Sequence, residues 1–238
     1  MQNNWLERTQ LLIKEKGVAK LNKSHILIVG LGGVGSFVAE FLVRAGIGNL
    51  TIVDGDTIDK TNINRQLPAL QTTIGKRKTE VVASRLKEIN PKVNLKVISK
   101  FLTPQEAFDI VDSSYDYVLD CIDSIQPKIQ LLIACKRKKV KVVSAMGAGG
   151  KLDPSKVLVR DISKTRDCTL ARVIKKELKK HQIHKGIRCV FSTEIQDKNS
   201  VCVTDGADYK KSYYGTISYM PAIFGLYAAA EVIQKLLK

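Results

Sequence analysis

The chain has 238 residues, enough for one large α/β domain with a proper core, and no internal repeat or low-complexity tract divides it. Lys and Arg number 39 against 23 Asp and Glu, a formal net charge of +16 that favours a polyanionic partner over a small neutral metabolite. The cysteines Cys121, Cys135, Cys168, Cys189 and Cys202 are odd in number and lack any C-x-x-C pair, so they supply neither a disulfide framework nor a zinc site and read as reduced thiols of a cytoplasmic protein.

Residues 5–13 have helical apolar spacing and are expected to pack outside the nucleotide-binding part. Asn3, Asn4, Glu7 and Arg8 interrupt any apolar start, so no signal peptide is expected. Ile26-Leu27-Ile28-Val29 reads as a buried strand, Gly30-Leu31-Gly32-Gly33-Val34-Gly35 as a G-x-G-x-x-G turn, and the periodic stretch 37–45 as a helix. Glycine at Gly30, Gly32, Gly33 and Gly35 lets backbone N–H groups approach phosphate oxygens at a helix end of partial positive charge, so a nucleotide is the expected ligand. The next strand, 50–53, ends at Asp54, placed about twenty residues on, where an acid for the ribose hydroxyls belongs.

The polar run 54–66 is long for a connection in a compact domain and is read as functional. A helix over 76–89 ends before Pro91, residues 93–98 alternate as a third strand, and Thr103-Pro104-Gln105-Glu106 opens a helix. A buried fourth strand, 115–122, delivers Asp123 at its carboxyl end. Open parallel sheets bind ligands there, so Gly30, Asp54 and Asp123 are expected to meet in one crevice. A helix over 125–138 and a strand over 140–144 continue the alternation.

Beyond Gly147-Ala148-Gly149-Gly150 the segments shorten: 156–162, a basic helix 170–180, and 188–192. The sheet is expected to continue there with antiparallel strands. His181 and His184 lie in the Lys-rich stretch 175–185, a solvated surface, and 205–214 reads as a mobile loop. Residues 217–237 are apolar, but Pro221, Glu231, Gln234 and Lys235 interrupt them, so a buried or dimer-interface helix is expected and no integral membrane insertion. The fold class is α/β, Rossmann-like, a mainly parallel sheet flanked by helices and continued by antiparallel strands in the C-terminal half. The chain reads as a single domain of three parts: an N-terminal helical segment 1–22, a nucleotide-binding half 23–145 and a substrate or dimerisation half 146–238.

Asp54, Asn62, Arg65, Gln66, Lys78 and Asp123 together supply a ribose-binding carboxylate, polar and cationic groups for a triphosphate, and a carboxylate for Mg²⁺. A dinucleotide site needs no such cluster. Two cations and a metal-binding acid beside a glycine turn suit attack on the α-phosphate of ATP, where negative charge grows on the phosphate oxygens.

Those motifs carry a resemblance. Gly30 to Ser36, Asp54-Gly55-Asp56, Asn62-Ile63-Asn64-Arg65-Gln66, Gly75-Lys76-Arg77-Lys78 and Leu119-Asp120-Cys121-Ile122-Asp123 resemble the ubiquitin-activating-enzyme-like adenylating superfamily. Arg8-Thr9, Arg44-Ala45-Gly46-Ile47-Gly48, Ala148-Gly149-Gly150 and Cys189-Val190-Phe191-Ser192-Thr193-Glu194 are similar to its tRNA threonylcarbamoyladenosine dehydratase branch. The resemblance implies that Asp54, with Asp56 beside it, binds the adenosine ribose, that Arg65 and Lys78 contact the phosphates, and that Asp123 binds Mg²⁺. Asn62 and Gln66 would shape the pocket, and Arg8 would reach into the partner subunit's site of a homodimer. It further implies ATP and Mg²⁺ as cofactors, tRNA as the substrate, and activation of the threonylcarbamoyladenosine carboxylate followed by ring closure. The basic composition suits tRNA independently.

Many relatives in that branch carry a cysteine where this chain reads Asp208-Tyr209-Lys210-Lys211-Ser212-Tyr213-Tyr214-Gly215, so a covalent role for that position is not carried over. Cys168, in a polar segment before a helix, is the strongest thiol candidate for covalent chemistry, yet intramolecular ring closure of an activated carboxyl needs no thiol. A sulfur-donor or cysteine-desulfurase-type partner is left open. The alternatives are adenylation of a small sulfur-carrier protein's C-terminal glycine, a nicotinamide-dependent oxidoreductase, and a non-catalytic RNA-binding protein.

Overall fold

The computed structural model describes residues 5–203 and 212–238. Seven strands build one sheet: β1 (His25–Val29), β2 (Asn49–Val53), β3 (Asn94–Ile98), β4 (Tyr117–Asp120), β5 (Lys141–Ala145), β6 (Val157–Asp161) and β7 (Arg188–Ser192). Their order is β3-β2-β1-β4-β5-β7-β6. Every neighbouring pair is parallel except β6 with β7. The short strands β8 (Val201–Val203) and β9 (Ser212–Tyr214) pair antiparallel in a separate ribbon.

The central strands are apolar on both faces because helices cover both, the usual condition of a parallel sheet. Alternation then sends successive residues to opposite cores. Ile26, Ile28, Leu50, Ile52 and Leu119 enter one, with α2 (Gly35–Arg44), α3 (Lys78–Ile89) and α7 (Tyr219–Leu237). Leu27, Val29, Val53, Val118 and Phe191 enter the other, under α4 (Pro104–Asp109), α5 (Ile125–Arg137) and α6 (Thr169–Lys180). Thr103 starts α4 through a reciprocal cap with Glu106, with proline in its first turn as the sequence predicts.

One expectation is corrected, one is refined and one falls largely outside the described residues. The N-terminal helix is not an outlying element: α1 (Glu7–Lys23) buries Leu21 in the first core, and Leu6 packs against Gly46. The helix is broken at Lys14 (φ 64°), which separates an exposed first half carrying Leu11 and Leu12 from the half that packs. The C-terminal half does not continue the sheet by antiparallel strands alone, because β7 lies parallel to β5 and only β6 is reversed against it. Most of the stretch 205–214 expected as a mobile loop lies outside the described residues.

The apolar C-terminal segment is the core helix α7. It is long and apolar enough to cross a membrane, but Met220, Phe224, Ala228, Val232 and Leu236 recur every fourth residue along one buried face. Gly225 lets that face approach α2 closely, since a Cβ there would stand 2.8 Å from the Val34 carbonyl oxygen. Leu226 and Tyr227 remain exposed on the other side.

Candidate functional site

The chain runs outward through β1, β2 and β3, then returns to lay β4 on the other side of β1. Val29 is level with both Val53 and Asp120, so Gly30, Asp54 and Cys121 leave the sheet side by side. Such a switch point opens a crevice at the carboxyl ends of the strands. Two glycines are indispensable to its floor. Gly30 adopts φ +93°, and a Cβ there would stand 2.7 Å from the Cys121 carbonyl oxygen; a Cβ on Gly35 would stand 1.7 Å from the Gly30 oxygen. Gly33 is crowded by Pro221 and the Arg65 carbonyl, while a Cβ on Gly32 would stand 3.6 Å from Gln66 Nε2.

Asp54 ties this turn to the exit of β2. Its Oδ2 accepts the Leu31 N–H at 2.6 Å and its Oδ1 accepts the Asp56 N–H at 2.8 Å. Burial pushes the Asp54 pKa upward, opposed by the Lys78 charge and these two N–H donors. Lys78, at the start of α3, has a side chain only 5% exposed and pairs with Asp56 Oδ2 at 2.5 Å. Asp54, Asp56 and Lys78 therefore form one cluster against the glycine turn.

The polar run after β2 folds into a single 3₁₀ turn over Lys60–Asn62, closed by a reciprocal cap between Asp59 and Asn62. This explains the buried Asn62: its Oδ1 accepts the Asp59 N–H at 3.1 Å, so its first task is to shape the loop. Arg65 follows, half-buried, with Nη1 donating to the Thr61 carbonyl and Asn64 Oδ1 at 2.9 and 2.8 Å. Its Nε and Nη2 have no partner among the described residues. Gln66 is 9% exposed, and its Oε1 is a buried acceptor with no partner among the described residues. An orphaned buried acceptor beside a glycine turn fits a polar ligand group.

Asp123 is exposed and directly precedes Ser124, the N-cap residue of α5. It shares the rim with the turn because the Ile122 N–H would lie 3.3 Å from a Cβ on Gly30. Among the described residues no group of three or more His, Cys, Asp or Glu could hold a metal ion. One carboxylate combined with phosphate oxygens and water is, however, the donor set that Mg²⁺ accepts. Arg8 is not brought to this crevice. It lies exposed in α1, next to the Leu6–Gly46 contact at the far end of α2, about 15 Å along that helix from the glycine turn.

Sequence reasoning missed the support beneath the rim. Lys128 and Asp120 are both fully buried and pair at 2.7 Å. Lys128 Nζ also donates to the carbonyls of Ile122 (3.0 Å) and Ala145 (2.8 Å), and Ser144 Oγ donates to Asp120 Oδ2 at 2.6 Å. One ammonium thereby clamps the ends of β4 and β5, the strands leading to Asp123 and to Gly147–Gly150. The available signal was a lone lysine on the apolar face of α5, flanked by Pro127 and Ile129.

A second missed brace joins the loop after β5 to the segment after β7. Glu194 accepts the N–H groups of Leu152 and Asp153, and buried Lys151 donates to the Glu194 carbonyl at 2.6 Å. Asn64 Nδ2 donates to the Thr216 carbonyl at 2.8 Å, closing the crevice against the chain that leads into α7. Cys168 is 7% exposed at the start of α6, buried in the second core, so its thiol is withdrawn from a macromolecular substrate. Of the stretch 208–215, for which no covalent role is carried over, residues 208–211 lie outside the described residues.

Fold and crevice together place the molecule in the nucleotide-binding α/β class. Within it the chain belongs to the ThiF family, whose model matches residues 6–238. It is similar to the tRNA threonylcarbamoyladenosine dehydratase of Haemophilus influenzae, 42% identical over 231 residues covering 93% of this chain and 88% of the relative. The crystal structure of Escherichia coli tRNA N6-threonylcarbamoyladenosine dehydratase, TcdA, in complex with ATP matches with a TM-score of 0.88 and 36% identity, covering 99% of this chain and 96% of that one. The molybdopterin-synthase adenylyltransferase of H. influenzae is 34% identical over 165 residues, covering 65% of this chain and 68% of the relative.

Proposed function

We infer that this chain is an ATP-dependent tRNA threonylcarbamoyladenosine dehydratase, working as one adenylation domain. The observation that carries the reading is the continuity of the likeness to TcdA, from the glycine crevice through the segments after β5 that wall it. The likeness to sulfur-carrier adenylyltransferases is shorter, which disfavours a protein C-terminus as the substrate.

In this reading Asp54 accepts the ribose hydroxyls of ATP, and the backbone N–H groups of the turn face its phosphates. Arg65 and Lys78 offset the charge that grows on the α-phosphate as the substrate carboxylate attacks and pyrophosphate leaves. Asn62 holds the loop that carries Arg65, and Gln66 offers its unpaired Oε1 to the bound nucleotide. Asp123 would hold Mg²⁺, which supplies further charge neutralisation when bound. The acyl-adenylate then closes on a nitrogen or oxygen of its own substituent and releases AMP. Because both groups ride on one substituent, the effective concentration is high and no thiol relay is required.

Arg8 is assigned to the crevice of a partner subunit, in line with its position far from the crevice of its own chain. The enzyme works in this reading as a cytoplasmic homodimer. Thermal shift with ATP and Mg²⁺, AMP or NAD tests the nucleotide, and pyrophosphate release with or without modified tRNA tests the substrate. Stabilisation by NAD alone, or release driven by a small carrier protein rather than by tRNA, overturns the reading.

A further inference from the structure

The charge excess is not spread evenly over the surface. Five of the six residues 136–141 are Lys or Arg, and residues 175–185 add five lysines against one acid, Glu177. Helix α5 ends at Arg137 and α6 at Lys180, so both runs emerge at the same end of the sheet, where β5 and β7 begin. The two meet in space: Lys136 Nζ lies 3.5 Å from the Gly186 carbonyl oxygen. The nucleotide crevice opens at the opposite end, one strand length and its flanking turns away, about 20 Å.

Helix ends alone do not account for this pole. Cations in a last turn interact favourably with the helix dipole, which explains Lys136, Arg137, Lys179 and Lys180. It does not explain Lys139, Lys141 and Lys185, which stand exposed beyond the helices. The nearby acids are fewer than the cations and offset only part of the charge. Asp116 accepts the His25 N–H, Asp161 accepts the N–H groups of Ser163 and Gly186, and Glu177 pairs with Lys180. A concentrated surface with a net cationic excess and without exposed large apolar side chains suits a phosphate backbone better than a lipid surface, which rewards apolar insertion.

We propose that this pole, formed by the ends of α5 and α6 and the chain entering β5 and β7, binds the phosphate backbone of the tRNA at a distance from the reacting nucleoside. The proposal rests on the dehydratase reading and adds a second point of attachment to it. It holds the RNA by charge alone, so it sets affinity and leaves the chemical step untouched.

The test is the full-length triple variant Arg137→Glu/Lys179→Glu/Lys185→Glu, with a Gln version of the same three positions in case reversal impairs folding. Binding of unmodified and modified tRNA is measured against salt, alongside ring closure at saturating tRNA. The expected result is a loss of affinity of about tenfold or more at low salt and a log–log salt slope shallower by about 2 to 3, since each phosphate contact contributes nearly one unit. Turnover at saturating tRNA and KM for ATP stay within twofold of wild type. Unchanged affinity and slope in both variants would overturn the proposal while leaving the dehydratase reading intact. Wild-type protein that neither binds nor converts tRNA would overturn that reading itself. Retention of wild type, but not the variants, on vesicles of phosphatidylserine and phosphatidylcholine, with tRNA affinity equal in all, would replace the RNA with a membrane surface.

Discussion

Replacing Lys128 by methionine preserves the length and apolar stem of the side chain and deletes only the ammonium. Three acceptors then lose their donor: Asp120 Oδ2 at 2.7 Å and the carbonyls of Ile122 and Ala145. Both members of the pair are fully buried, so the stranded carboxylate dominates; breaking one side of such a pair costs about 3–5 kcal/mol. For a chain of this length that corresponds to a fall in Tm of about 6–20 °C. Ser144 Oγ and the Ile122 N–H remain to Asp120, which holds the loss toward the lower end. Adding Asp120→Asn removes the stranded charge, and the double variant should recover at least about half of the loss. Urea unfolding followed by circular dichroism measures both. A single variant within about 1 kcal/mol of wild type, or a double variant less stable than the single, would refute the clamp.

Gly35→Ala should abolish ATP binding in titration calorimetry, because its Cβ would overlap the Gly30 carbonyl oxygen and the turn cannot form; ATP affinity within threefold of wild type would contradict the assigned floor. Lys78→Ala and Asp123→Ala should each lower turnover roughly a hundredfold or more at saturating ATP, with tRNA affinity unchanged, and near wild-type turnover in either removes that residue from the site. Maleimide at pH 8 should modify exposed Cys202 in the native protein and spare Cys135 and Cys189, whose thiols burial pushes well above the ordinary range; Cys168, buried in the same core, should also resist until the chain unfolds. Mixing Arg8→Ala with Asp123→Ala subunits should restore part of the activity, since one hybrid crevice is intact; no recovery after verified subunit exchange removes Arg8 from the partner's site.

The nucleotide crevice was legible because its signals are local. Strand, glycine turn, helix and Asp54 follow one another within 30 residues, and backbone sterics leave the turn few alternatives. The loop from Asp54 to Gln66 was recognisable as functional by its length, but the reciprocal cap through Asn62 depends on a 3₁₀ turn that polarity alone does not specify. Lys128 and Asp120 were illegible as a pair. They come from different elements and meet only after α5 docks across the ends of β4 and β5. The parallel setting of β7 was missed for a similar reason: α6 provides the crossover between β6 and β7, yet those two strands end up antiparallel and adjacent. The packing of α1 depends on the break at Lys14, where a lysine takes a positive φ that its sequence context does not announce.

Activation of a tRNA carboxylate in the crevice is decided by following the nucleoside itself. Purified protein is incubated with ATP, Mg²⁺ and tRNA carrying threonylcarbamoyladenosine, and the digested nucleosides are read by mass spectrometry. The modified nucleoside should lose the mass of one water only when ATP is present, with one AMP formed per nucleoside converted. An unchanged nucleoside, together with AMP transfer to the C-terminal glycine of a small carrier protein, would contradict it.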